Sequence, residues 1–160
     1  MKNLVRPTLL ALVITVTAGC SQEPNLSAVD PKWDRDVCER CKMLLSDKNF
    51  SSEVINPTDG KHYFFDDLGC ALNWLAEDKN KSWALKAIVF ANDAKTGEWL
   101  DISKNYLALG YITPMSYGIA VFKSKDQISS DKKLISVKEA YEHALEVKKM
   151  KAQIKAQMKQ

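Results

Sequence analysis

Between residues 43 and 147 the chain carries one order of segments twice, two strands followed by a helix, and that order leaves few folds open. Residues 43–46 and 51–55 are apolar or β-branched enough for short strands. Asn56-Pro57-Thr58-Asp59-Gly60 is a turn, with Pro fixing φ and Gly supplying a positive φ, and residues 61–65 read as the strand returning from it. Asp66 or Asp67 then caps a helix on which Leu68, Leu72 and Leu75 recur at helical spacing, widened by Ala71 and Trp74, ending near residues 78–81. Residues 86–91 and 98–102 form a linking hairpin about a turn at 92–97. Residues 106–113 and 118–122 are further strands flanking Pro114-Met115-Ser116. Ser136-Val-Lys-Glu139 is a capping box that opens a helix whose apolar face, on Ala140, Tyr141, Ala144 and Leu145, runs to about Val147, beyond which the helix reads as solvated. The expected class is α+β: two β-β-α halves, a duplicated arrangement, with antiparallel sheets and helices packed on them.

The chain before this region reads as a targeting segment. Lys2 and Arg6 supply positive charge, residues 9–16 form a short apolar run, and Thr17-Ala18-Gly19-Cys20 ends it with small residues. A run of eight residues falls short of the roughly 20 that a bilayer-spanning helix needs. Thr-Ala-Gly-Cys is similar to a bacterial lipobox, in which Cys20 takes the lipid and becomes the first mature residue. Residues 1–19 are then a signal peptide, 20–32 a lipidated flexible tether and 33–147 the domain, with 148–160 a basic helical or disordered tail. Anchored by several acyl chains, the protein is expected at a cell membrane facing the periplasm. Ser21 after the Cys favours the outer membrane over the inner.

Removing residues 1–19 leaves enough chain for one ordinary domain with a real core. It also takes two basic residues from a formal charge of +3, so the remainder is close to neutral and offers no footprint for nucleic acid. Of the four cysteines, assigning Cys20 to lipid leaves Cys38, Cys41 and Cys70. Three cannot all pair, so in an oxidising compartment they point to chemistry rather than a disulfide framework.

Cys38-Glu-Arg-Cys41-Lys-Met43 is the most informative stretch. Two thiols three positions apart converge on one ion when they sit in a turn, and a thioether two residues on adds a third sulfur. A mixed Cys/Met set selects Cu(I) over harder ions. Three other readings stay open for the same residues. Cys38, Cys41, Cys70 and His62 make up the four ligands of a structural zinc site. A thioredoxin-like redox pair would want the motif opening a helix after a strand. A resting Cys38–Cys41 disulfide is compatible with metal binding after reduction. Taken alone, Met115 reads as core filler, and His62 and His143 as satisfied structural residues. Cys70 lies in the first helical turn, where the dipole would lower a thiol pKa, or else serves as a buried small hydrophobe. Asp66-Asp67 is more simply a helix cap than an acid–base pair. No nucleophile elbow or phosphate loop is present, and the chain does not read as an enzyme.

Three stretches, in order, carry a resemblance: Cys38-Glu-Arg-Cys41-Lys-Met43, His62-Tyr-Phe-Phe-Asp-Asp-Leu-Gly-Cys70 with Trp74 behind it, and Thr113-Pro-Met-Ser-Tyr-Gly118 followed by Ala120-Val-Phe122. Together with the lipobox and tether they resemble the NosL family of copper-binding lipoproteins. The resemblance implies a duplicated β-β-α fold and a periplasm-facing Cu(I) chaperone for nitrous oxide reductase. Its implied partners are a membrane transporter and a periplasmic accessory protein. It draws the copper ligands from Cys38, Cys41, Met43 and Met115, which raises Met115 from core residue to ligand. Two departures stand out: Lys42 occupies a position where the family often has Gly, and the chain has no His-rich or Met-rich extension.

Overall fold

A computed structural model describes residues 23–77 and 82–159. Cys20, the signal segment and the expected helix end at 78–81 lie outside the described residues. Strands β1 (Ser52–Ile55) and β2 (His62–Phe65) lead into helix α1 (Leu68–Glu77). Strands β3 (Ile88–Asn92), β4 (Trp99–Asp101), β5 (Tyr106–Leu109), β6 (Ile119–Phe122) and β7 (Lys133–Ile135) precede helix α2 (Val137–Gln157). The class is α+β, with a four-stranded antiparallel sheet in the order β2-β1-β3-β4 and a three-stranded one in the order β6-β5-β7. The linking hairpin forms, and β3 pairs with β1 so that the hairpin extends the first sheet.

Two local expectations change. Residues 43–46 make no strand, only a bridge between Val37 and Leu44, because the chain is still folding back on the cysteine loop there: Cys38 N–H donates to Met43 C=O at 2.8 Å. Strand β7 is additional; its three residues carry too little alternation to announce it, and pairing with β5 makes it. Of the two forms expected for the basic tail, helical or disordered, it is helical: α2 continues past Val147 to Gln157 on an exposed surface. No helix among the described residues is long and apolar enough to cross a membrane.

One core joins the two sheets. Val54, Phe65, Val89, Ala91 and Leu100 of the first sheet meet Leu72 and Leu75 of α1, Leu107, Ile119 and Val121 of the second sheet, and Ala140 and Ala144 of α2. Each fully buried Leu or Phe contributes about 1.5–3 kcal/mol. The two alanines, four apart on α2, let the helices approach closely. Buried Asn73 of α1 uses that approach, donating to Gly69 C=O and to Ala144 C=O, both at 2.9 Å. A second junction lies at the far edge, where buried Asp93 accepts from Lys95 and Thr96 amides in its own turn and from Lys123 N–H at 2.9 Å beyond β6.

The face of the first sheet opposite α1 is covered by the chain's own beginning. Val29 N–H donates to the buried Glu53 carboxylate, which also binds His62 Nδ1 at 2.5 Å. Trp99 Nε1–H donates to Asp30 at 2.9 Å, and the Trp33 and Trp99 rings stack with centroids 6.5 Å apart. Pro24 lies directly against Gly60 in the β1–β2 turn. The described part of the expected tether is therefore docked on the sheet, not hanging free of it.

Candidate metal centre

The three informative sequence stretches meet at one end of β2, and each holds the others. Around Cys38 the chain makes a tight loop: Lys42 N–H donates to Cys38 C=O at 3.1 Å, and Lys42 itself takes a left-handed φ of 64°. Glu39 N–H donates to Phe64 C=O at 2.9 Å, laying that loop beside the end of β2. Arg40, between the two cysteines, donates to Tyr117 Oη and to Glu77 Oε1, each at 3.0 Å. Glu77 is also paired with Lys148. Burial alone would raise Glu77; these two cations outweigh it and hold the carboxyl below its ordinary range.

The adjacent acids Asp66 and Asp67 divide their tasks. Asp67 is the cap of α1, its Oδ1 accepting Gly69 N–H at 2.8 Å. Its Oδ2 reaches across to the second half, accepting Thr113 Oγ1–H at 2.6 Å and Met115 N–H at 3.0 Å. Thr113 Oγ1 in turn accepts the Tyr117 and Gly118 amides at 3.1 Å. The Met115 turn is thus tied to the head of α1. From the other side Lys151 donates to Met115 C=O and lies 4.2 Å from the Tyr117 ring centroid. At least two of the tail's lysines, Lys148 and Lys151, belong to the framework of the site.

Asp66 faces the sulfurs. Cys38 Sγ, Cys41 Sγ, Cys70 Sγ and an Asp66 carboxylate oxygen all lie within 4.8 Å of one another. Cys38 and Cys70 are buried and Cys41 is half-buried. Cys41 S–H donates to Asp66 Oδ1 at 3.0 Å, and Cys41 N–H points at Cys38 Sγ at 3.4 Å. Asp66 Oδ2 is buried without a hydrogen-bond partner. The cysteines are free thiols.

One sulfur carries the charge for the group. Hydrogen bonding from Cys70 lowers the Cys38 thiol from 9.0 to about 6 against the opposing effect of burial, helped by the Cys41 and Asp66 amides. Cys70, as donor to that thiolate and buried besides, is pushed upward. The helix-dipole lowering expected for Cys70 is overridden, because two thiolates in contact in a dry site repel. Burial raises Cys41 to about 12, and its bonds to Asp66 and Cys38 add to the shift. A thiolate, two thiols and a carboxylate make a donor set that suits a soft or borderline metal ion.

The remaining sequence candidates fall around this cluster. Met43, 48% exposed, lines a shallow cleft with Leu44, Ser46, Asp47, Asp66 and Pro114. Met115 is half-buried and packs against the core. His62 is outside the cluster, at the other end of β2, where its ring binds Glu53. Asp66 was missed as a candidate because a cap accounted for both acids. The available signal was their adjacency: one helix start needs one cap.

No family model matches the sequence, and no curated protein matches it. Among solved structures the fold is similar to the crystal structure of the copper chaperone NosL from Shewanella denitrificans, with a TM-score of 0.53 and 16% identity. That likeness covers 72% of this chain and 94% of that one, and at this identity it speaks for the fold.

Proposed function

We propose that this chain is a lipid-anchored Cu(I) carrier that hands copper to the proteins maturing nitrous oxide reductase. The observation that carries the copper reading is the convergence of three sulfurs, Cys38, Cys41 and Cys70, on Asp66, which also lines a cleft with half-exposed Met43. Supporting it are the similarity of fold to a copper chaperone and the Cys/Met chemistry of the three motifs. Cu(I) is the cargo, and soft thiolates hold it while keeping it reduced. Cys38 offers a thiolate at once; Cys41, nearer the surface, gives up its proton as the ion arrives. Met43, on the solvent side, supplies a weaker thioether that the ion meets first on entering and last on leaving. Met115, in the turn fixed by Asp67 and Lys151, is proposed as a further ligand. With so few strong donors, an acceptor's own sulfur or imidazole completes the exchange without free copper being released. The lipid on Cys20, placement on the outer membrane facing the periplasm, and delivery to a transporter and periplasmic accessory protein belong to the same proposal.

The thiol–disulfide alternative is disfavoured by the order of acidities. An attacking thiol must be both ionised and reachable. Here the acidified Cys38 is buried, while the accessible Cys41 is the one held protonated. Titrating the reduced protein with Cu(I) against a chromogenic chelator tests the reading. One tightly bound copper is expected, with the affinity collapsing in Cys38→Ser/Cys41→Ser. Absence of binding, or unchanged binding in that variant, refutes it.

A further inference from the structure

Asp66 is the group the copper reading leaves without a task, and the inference here concerns that same cluster. Two or three sulfurs satisfy Cu(I), and a carboxylate adds little to so soft an ion. Yet Asp66 is only 2% exposed, and one of its oxygens has no partner. A buried acceptor left unsatisfied is destabilising. Its other oxygen is already in contact with Cys41 Sγ at 3.0 Å.

The four donor atoms also have the right number and spacing for a closed tetrahedral site. Zn–S bonds of about 2.3 Å and Zn–O bonds of about 2.0–2.2 Å place the ligand atoms roughly 3.5–3.8 Å apart. The four lie within 4.8 Å of each other, so closing on an ion takes movements on the order of 1 Å, within reach of side-chain torsions. Charge separates the two metals. Three thiolates and a carboxylate around Cu(I) would bury three net negative charges, whereas around a divalent ion they bury two. Burying uncompensated charge is expensive, so the monovalent ion does best with the sulfurs alone and the divalent ion with all four. Arg40, anchored beside the cysteine loop by Tyr117 and Glu77, brings a positive charge close to either form.

We propose that the cluster is also a tetrahedral site for Zn(II), with Cys38, Cys41 and Cys70 as sulfur ligands and Asp66 as the fourth, so that Asp66 sets which ion the cluster holds. Zinc binding releases the thiol protons to solvent and transfers no electrons. A four-coordinate zinc is closed and leaves no position for an incoming ligand. Copper held by sulfur leaves the Asp66 side of the site open to the cleft. Zinc thereby acts as a competitor that keeps the site shut until copper displaces it.

The reduced full chain is titrated anaerobically with Co(II), then with Zn(II) against a chromogenic chelator, and separately with Cu(I). Intense ligand-field bands of tetrahedral thiolate Co(II), abolished by Zn(II), are expected. Asp66→Asn is expected to weaken Zn(II) by about tenfold or more and Cu(I) by much less, with a cooperative urea unfolding transition reporting that the variant folds. Zinc-edge X-ray absorption of the wild-type protein provides a check independent of any variant, expecting three sulfurs and one oxygen. Copper binding without a tetrahedral cobalt spectrum, an all-sulfur or oxygen-poor zinc shell, or unaltered zinc affinity in Asp66→Asn overturns this proposal and leaves the copper reading intact. Zinc binding with Asp66 in the shell but no copper binding overturns the copper reading and supports this one. Binding of neither ion overturns both.

Discussion

Lys42 shows how much local geometry the cysteine loop demands. Its φ of 64° lies in the left-handed region, which costs a residue with a Cβ about 1–2 kcal/mol. The loop must turn there so that Met43 C=O can receive Cys38 N–H, and the position is the one where the NosL resemblance led to an expectation of glycine. The lysine's own ion pair with Glu39, 3.8 Å and largely solvated, returns little. Lys42→Gly is therefore expected to stabilise the protein by about 1 kcal/mol, read as a higher urea midpoint with unchanged slope. At the same scale, the thiols would make the proposed copper binding pH-dependent. Above about 6 Cys38 is ionised, but Cys41 stays protonated to about 12. Binding through both sulfurs between those limits expels at least one proton, so a rise in pH tightens binding. About tenfold per pH unit is expected for each proton expelled, measured as chelator competition from pH 6.5 to 8.5. An affinity flat with pH would contradict ligation by Cys41.

Elements explain what was legible beforehand and what was not. The Cys38–Cys41 spacing lies within one loop, and the first hairpin, both helix starts and the linking hairpin announced themselves through turn residues and periodicity. Cys70 was ambiguous in the sequence because its partnership with Cys38 exists only once β2 returns from the 56–61 turn and α1 begins beside the loop. Strand β7 was hidden for a related reason, since it depends on a partner elsewhere, β5. The tie between α1 and the Met115 turn gives a prediction at this level. Thr113→Val keeps the shape but leaves the Tyr117 and Gly118 amides without the acceptor they share, and removes a donor from buried Asp67. A loss of about 2–3 kcal/mol is expected by chemical denaturation. Any drop in copper affinity beyond that of the folded fraction would implicate Met115 as a ligand.

At the scale of the whole molecule, the shared core, the α1–α2 contact through Asn73 and the Asp93 junction couple the two sheets. They should therefore unfold as one unit. The candidate metal cluster draws its sulfurs from the cysteine loop and α1 and is braced by the second half through Tyr117. A bound ion consequently stabilises both halves together. Saturation with Cu(I) at about a hundred times its Kd is expected to add about 2.7 kcal/mol. Anaerobic calorimetry should show this as a single transition moved upward, about 2–4 °C for each kcal/mol. Two separated transitions, or a shift in only part of the endotherm, would show that the halves are independent.

The docked N-terminal strand of chain also sets a posture. Pro24 rests on the β1–β2 turn, while the metal cleft lies at the opposite end of β2. Four residues of chain reach at most about 14 Å. With the proposed lipid on Cys20, that leash would keep the β1–β2 turn close to the anchor. The β1–β2 turn would ride at the bilayer like the foot of a mast, and the sulfurs would stand at its head, held out toward whatever approaches from the aqueous side.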